Sequence, residues 1–413
     1  MKKTALLFIF FSAILFSCEK NNDADDFILK FYGDAYEDIG YSIASADNSY
    51  FITGQFTQII RNVPNYISSS SKKMAVIKVD NDGNTIKKTS LGGKLAAVGA
   101  KVIILSDGSA VAAGYVIDSV TLTKDIYIVK LTSEGDPVKE KIFAATGNQY
   151  VNDIVRTEEG FLLLGTTDVK RDNSTEGFGN AAGKKDVLLM RLNDNLELIA
   201  VPTPLGYVGN DEGVAIKPAV NGGYIVVGTT DRSDKRVAAD QAGTNIFLFR
   251  VNSDKTLTEV AIIGGPKNET ATDFEVTNEG YLIAGSTGTE GTDQIGCVWK
   301  MPVDIFAMPE FSREIDLNGE EVANVTYSVK ALCKYKSSSY LLAGQHGTGL
   351  SSRMLIFSID AYGNLAQDKI KIAGGTGTQS ANDVISDESG NIIAIGRNSY
   401  ENNSMITFLK FRF

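Results

Sequence analysis

A short apolar run closing on a glycine returns seven times along this chain, and no other feature narrows its architecture so far. The copies are SYFITG (Gly54), AVAAG (Gly114), FLLLG (Gly165), YIVVG (Gly228), YLIAG (Gly285), YLLAG (Gly344) and IIAIG (Gly396), about 50 to 63 residues apart. A period of that length marks a supersecondary unit that buries its apolar faces only against its own copies.

Each copy is followed by a second apolar run: MAVIKVD (74–80), IYIVKLT (126–132), VLLMRLN (187–193), IFLFRVN (246–252), GCVWKMP (296–302), MLIFSID (354–360) and ITFLKFR (406–412). These runs are β-branched and aromatic, bounded by Asn, Asp and Gly, and too short for typical helices, so they read as strands. Turns such as DNDG (80–83), TSEG (132–135) and DAYG (360–363) follow, where glycine supplies the positive φ of a tight reversal. A third strand then runs to Gly92, Gly147, Gly206, Gly264, Gly319 or Gly374. One more strand precedes each first run, as in YSIAS (41–45), KVIIL (101–105), DIVRT (153–157) and DFEVT (273–277). Each unit thus holds four antiparallel strands, A to D.

Seven such units predict an all-β chain, a seven-bladed β-propeller in which each sheet buries both faces against its neighbours. The ends favour a ring over a linear solenoid. The last unit stops after strand C at Phe413, while FILKFYG (27–33) is a D strand without a unit. The N-terminal strand is therefore expected to close the last blade beside 405–412 and hold the circle shut, since opening it must break a full strand ladder.

With this pattern laid out, VDNDGNTIKKTSLGG (79–93) and SIDAYGNLAQDKIKIAGG (358–375) resemble the bacterial SBBP-type (seven-bladed propeller) repeat. That repeat looks like a lysine-bearing strand, an Asp-x-x-Gly-Asn turn, another strand, a Gly-Gly pair, an Asp-containing stretch and an apolar strand ending in Gly. The resemblance covers 27–413, with degenerate copies such as unit two, which lacks the Asp. It implies a fold and no particular activity.

Ahead of the repeats, Lys2 and Lys3, an apolar run from Ala5 to Phe16, then Ser17 and Cys18 have the layout of a secretory signal. The run is about a dozen residues, short of the roughly 20 that a membrane-spanning helix needs. Leu15-Phe16-Ser17-Cys18 resembles the bacterial lipobox, in the relaxed form seen in Bacteroidetes because Phe16 replaces the usual small residue. EKNNDADD (19–26) has nothing to pack and reads as a flexible tether. Its acidity resembles the surface-export signal of Bacteroidetes lipoproteins. The expected division is a signal peptide 1–17, an acidic tether 18–26 and a single propeller domain 27–413. A lipid on Cys18 would hold it to the outer membrane, exposed at the cell surface.

The formal charge is -10, and a cleaved signal takes Lys2 and Lys3 with it. That excludes a nucleic-acid binder, which needs a basic footprint. Beyond Cys18 only Cys297 and Cys333 remain, both in strand-like runs, so no disulfide framework is present. One His (His346) and one Trp (Trp299) exclude imidazole metal clusters and tryptophan-based repeats. Neither a metal nor a cofactor is expected.

In a ring of copies, what recurs in every unit is architecture and what occurs once is a candidate for function. Lys78, Lys130, Arg191, Arg250, Lys300 and Lys410 share one strand C position, so their stems are expected to lie along apolar surface. Gly92-Gly93, Gly264-Gly265 and Gly374-Gly375 are turn glycines, since no helix N-terminus follows to make a phosphate cradle. Asp80, Asp82 and Gly83 lack the remaining donors of a calcium loop. The aromatic residue closing a sialidase Asp-box is missing after Gly83, and HGTG (346–349) has no G-x-S-x-G partner.

What varies is the B-to-C segments 55–73, 166–185 and 229–245, which are long, irregular and unlike one another. In a propeller they emerge with the D-to-A connections on one face, and loops on a rigid scaffold are where binding resides. Arg61, Lys72, Arg171, Arg232, His346 and Arg397 are its polar candidates, and Tyr66, Tyr115, Phe178 and Tyr400 its stacking surfaces. The expectation is a non-catalytic module that binds a glycan or a surface protein through this face. The alternative is a propeller glycoside hydrolase or lyase with carboxylates in the central channel.

Overall fold

The computed structural model describes residues 27–413 except 34–35, 61–68, 94, 170–183, 207–208, 232–242, 253–256, 258–259, 266, 289–294, 318–326, 348–350 and 401–402. Cys18, the tether and Gly319 lie outside the described residues. Seven sheets of four antiparallel strands surround a common axis, with no α-helix among the described residues. Strand A of blades one to seven is Ile39–Ala46, Ala96–Ile104, Gln149–Thr157, Asp211–Pro218, Asn268–Thr277, Tyr327–Tyr335 and Thr378–Ser386. Neighbouring A strands touch all the way round and line the axis.

The apolar runs of strands B and C supply seven core clusters, one between each pair of adjacent blades. Between blades seven and one, for example, Tyr50, Ile52 and Ile77 pack on Ile395, Ile406 and Phe408. A twisted sheet with both faces apolar buries them only against the next sheet, so the core is a ring and not a centre.

Ring closure is as expected. Ile28–Tyr32 pairs antiparallel with Asn403–Phe411, from Ile28 opposite Lys410 to Tyr32 opposite Ile406. This strand also treats blade one as its next neighbour. Lys30 Nζ donates to Asn84 Oδ1 at 3.1 Å and the Tyr32 hydroxyl to the Gly83 carbonyl at 2.7 Å, both in blade one's C-to-D turn. D strands elsewhere do the same: Lys87 reaches Asp136 at 2.7 Å, and Arg313 reaches Asn364.

The seven glycines of strand B have one cause. Every A strand carries a β-bulge at the same place, its extra residue being Tyr41, Ala100, Asn152, Val214, Thr272, Lys330 or Asn382. The bulge pushes a strand A carbonyl onto the glycine opposite. A Cβ on Gly344 would lie 1.8 Å from the Ser328 oxygen, and one on Gly114 1.9 Å from that of Val98. Only a residue without a side chain accepts that approach.

Two expectations are corrected. The strand B runs do not end at their glycines but continue, from Gly54 as far as Ile60 and from Gly396 to Tyr400. The 55–73 segment is largely a two-stranded ladder extending to Ile60 opposite Ser69, because its Thr, Gln, Ile and Ser residues continue the hairpin.

Several of the recurrent strand C cations are tied to neighbouring turns. Arg191 pairs with Glu159 at 2.6 Å, Arg250 donates to the carbonyls of Asn221 and Gly222, and Lys410 reaches the Tyr50 hydroxyl and the Asn81 carbonyl. In the DNDG turn the Asp80 carboxylate accepts from the amides of Asp82 and Asn84 and from the Asn84 side chain. Asp360 and Asn364 repeat the arrangement.

Candidate functional site

The axis of the ring is polar because the residue after each bulge is often acidic. Asp153, Asp273 and Asp383 hold this position in blades three, five and seven. One oxygen of each accepts the next amide in its own strand (Ile154, Phe274, Val384) at 2.8 to 2.9 Å. The other accepts the equivalent amide of the following blade: Ile216 and Leu332 at 2.9 Å, and Ile43 at 3.0 Å. Each carboxylate is thus an inter-blade staple with both oxygens engaged.

Lysines balance these acids. Lys217 bonds Glu275 at 2.7 Å and lies 3.5 Å from Asp273, linking blades four and five. Lys101 takes the staple position in blade two. Burial works to lower the Lys101 ammonium, but Asp383, Asp153 and Asp273 outweigh it and raise its pKa. Burial raises Asp153 and Asp383, with Lys101 opposing it in each case.

Towards the B-to-C and D-to-A end the lining changes character. The extra residue of every bulge is half-buried, and in order round the ring these are Tyr41, Ala100, Asn152, Val214, Thr272, Lys330 and Asn382. Asn152 and Asn382 donate to the carbonyls of Gly213 and Gly40 in the next blade, at 2.6 and 2.8 Å. Lys330 Nζ donates to Asn382 Oδ1 at 3.0 Å. Burial, then the Arg397 guanidinium, pushes the Lys330 pKa down to about 8. Arg397 also acts electrostatically on Glu37 and Tyr41, and Tyr115 on Tyr41, so these groups feel one another across blades seven, one and two.

Beside them, Lys72, Lys124 and Lys185 occupy one register position, three residues before the strand C partner of the glycine, in blades one to three. Lys72 pairs with Glu37 at 2.8 Å, and Lys185 pairs with Glu212. Lys124 has no ion pair among the described residues. It sits over the rings of Tyr115 and Tyr150, at 4.5 and 5.0 Å. Burial, then Lys185, lowers its pKa. A cavity of about 210 Å³ opens here, lined by Lys124, Asn148, Tyr150, Thr166, Asp168 and Lys185.

Of the sequence candidates, Lys72, Tyr115 and Arg397 are gathered at this mouth. Tyr400 is exposed at the end of strand B of blade seven. His346 ends strand B of blade six and is buried at 4 % exposure, not displayed on a loop. Arg61, Tyr66, Arg171, Phe178 and Arg232 lie outside the described residues. Reading by loops overlooked Tyr41, Lys124, Tyr150 and Lys330, which are strand residues, and did not single out Lys185 at the end of the 166–185 segment. For Lys124 and Lys185 the signal was a register position, shared with Lys72, that lysine occupies in only some units.

Two larger cavities, of about 1060 and 420 Å³, open on the outer rim. The strand D segments Thr203–Leu205, Ala261–Ile263 and Phe311–Glu314 are short, so the sheets flare apart there. Among the described residues no cluster of His, Cys, Asp and Glu is arranged to hold a metal.

The fold and mouth define a seven-bladed β-propeller with a cation- and tyrosine-lined entrance to a carboxylate-stapled channel. No family model matches the chain, and no curated protein does. Among solved structures, puromycin hydrolase superposes with a TM-score of 0.53 at 11% identity, over 90% of this chain and 52% of that one. The chain therefore spans about half that enzyme's length. Polysaccharide lyase Uly1 gives a TM-score of 0.52 at 10% identity, over 92% of this chain and 91% of that one. At such identities the likeness is one of fold.

Proposed function

We propose that the chain is an exported lipoprotein of the SBBP-repeat type, anchored by a lipid on Cys18 to the outer membrane. At the cell surface, its B-to-C face captures a glycan or protein partner. The observation that carries the binding role is the mouth itself. Lys124 lies over Tyr115 and Tyr150 in blades two and three, Lys330 and Arg397 lie together in blades six and seven, and none of the three cations has a carboxylate partner among the described residues. A rigid concave lining of aromatic faces and unspent donors is what ligand recognition requires.

The competing reading, a hydrolase or lyase working through the channel acids, would have Asp153, Asp273 and Asp383 give up oxygens that hold the ring together. A general acid or base needs an oxygen within reach of substrate. Puromycin hydrolase and Uly1 are enzymes by name, but at 10–11% identity neither carries an activity to this chain.

A glycan array probed with the soluble form starting at Asn21 tests the reading, with Tyr115→Ala and Lys124→Ala as mouth variants. Binding weakened at least tenfold by these changes supports it. Absence of binding, or binding that neither variant alters, refutes capture of a glycan at the mouth. Labelled palmitate incorporated by the full chain and lost in Cys18→Ser tests the anchor.

A further inference from the structure

We propose that the mouth is a carboxylate-recognition site, with Arg397 and Lys330 jointly holding the acid group of an acidic sugar whose ring lies against Tyr41 and Tyr115. This rests on the binding role proposed above and names the chemistry of the ligand.

The chain carries 50 Asp and Glu against 40 Lys and Arg, so a cation can ordinarily find a carboxylate. Several do: Lys72 has Glu37, Lys87 has Asp136, Lys217 has Glu275 and Lys267 has Glu314. Arg397 and Lys330 do not, although they sit close to one another in a half-buried setting. Strand B of blade seven brings Arg397 opposite Ser380, two residues before the bulge residue Asn382, and Lys330 reaches that same Asn382 from blade six. Both side chains are half-buried. Among the described residues Lys330 bonds only the Asn382 amide oxygen and Arg397 pairs with no acid. Glu37, an acid that feels Arg397, is committed to Lys72.

Two like charges held together in a partly desolvated site repel, and burial first, then that repulsion, depresses the Lys330 pKa. A carboxylate placed between them removes it. A guanidinium accepts a carboxylate in bidentate fashion, with the ammonium as a point charge beside it. The flanking tyrosines favour a sugar over an acidic peptide. They present flat faces with polar tips, which suit a ring carrying hydroxyls.

The test follows Lys330 by NMR in protein labelled at lysine side-chain carbons, its signal assigned with Lys330→Arg. Free protein should titrate near 8 at this site. D-glucuronate should raise the midpoint by about one unit, since an added opposite charge favours the ammonium. D-glucose should leave it unmoved. Arg397→Gln should raise the midpoint of the free protein and weaken glucuronate binding at least tenfold. No shift with glucuronate, or the same shift with glucose, overturns the assignment. A glutamate-rich peptide that shifts Lys330 where glucuronate does not overturns it in favour of a protein ligand. Mouth-dependent array binding to neutral glycans alone would retain the binding role while removing the carboxylate site.

Discussion

A single methyl group probes the commonest residue-scale constraint in this protein. Gly344 faces the Ser328 carbonyl so closely that an added Cβ would lie 1.8 Å away, and the obstacle is backbone, which cannot rotate aside. Gly344→Ala should destabilise the fold by roughly 1–3 kcal/mol, the range for overpacking a tight site. Gly375→Ala, where nothing lies within 4 Å, should change stability by about 0.5 kcal/mol or less. Urea midpoints of the two variants check the contrast, and equal values would disprove the bulge explanation. His346 offers a second probe, as the chain's one histidine. Its Nε2 has no hydrogen-bond partner among the described residues and the ring is buried, which, with Arg353 nearby, lowers its pKa below the ordinary 6.5. The unfolded chain therefore takes up the proton first. The folded state loses stability as pH falls from about 6.5 through the lowered folded value. His346→Phe should flatten that part of the stability profile, and a slope unchanged by the substitution would contradict it.

Between the residue and the whole stands the strand A bulge, which positions both staple and mouth. Asp153→Ala, Asp273→Ala and Asp383→Ala each strip an acceptor from two amides, one in each of two blades. A buried N–H left without a partner costs roughly 1–3 kcal/mol. Each variant should lower the urea midpoint, and Asp383→Ala, which serves the junction between the two chain ends, should also increase hydrogen exchange at Ile43. Protection of Ile43 equal to that of the parent would count against the staple. The strands themselves were legible in the sequence because alternating apolar runs and Asp-x-x-Gly turns are local signals. The bulge was not, although its trace was in view: an isolated glycine inside a strand pattern signals a close backbone approach. Read as the end of strand B, it concealed the extra residue opposite, and with it Tyr41 and Lys330. Arg397 and Tyr115 were found because they directly follow such glycines, while the grouping of these four needed the ring.

At the scale of the molecule, seven sheets share their cores pairwise, so no blade is complete without both neighbours and the circle must be held shut somewhere. The clasp is Ile28–Tyr32 on Asn403–Phe411, together with the grip of Lys30 and Tyr32 on blade one. A chain beginning at Asp34 loses this ladder, at about 0.5–1.5 kcal/mol for each hydrogen bond. It also exposes the edge of the last C strand, which invites pairing between molecules. The truncated form should unfold at lower urea and elute partly as oligomers. Truncation alone does not separate closure from loss of any native strand, so a second chain decides the matter. Ile28 lies opposite Lys410, which puts Phe27 and Phe413 at the same end of the ladder. A short Gly-containing turn after Phe413, followed by residues 27–33, can therefore return the strand to its place as an ordinary hairpin. That permuted chain should recover the parent midpoint and elute as the parent does. Recovery would show that the ring needs the strand and not its position at the start of the chain. A permuted chain as unstable as the truncated one would mean that the first strand contributes something other than closure.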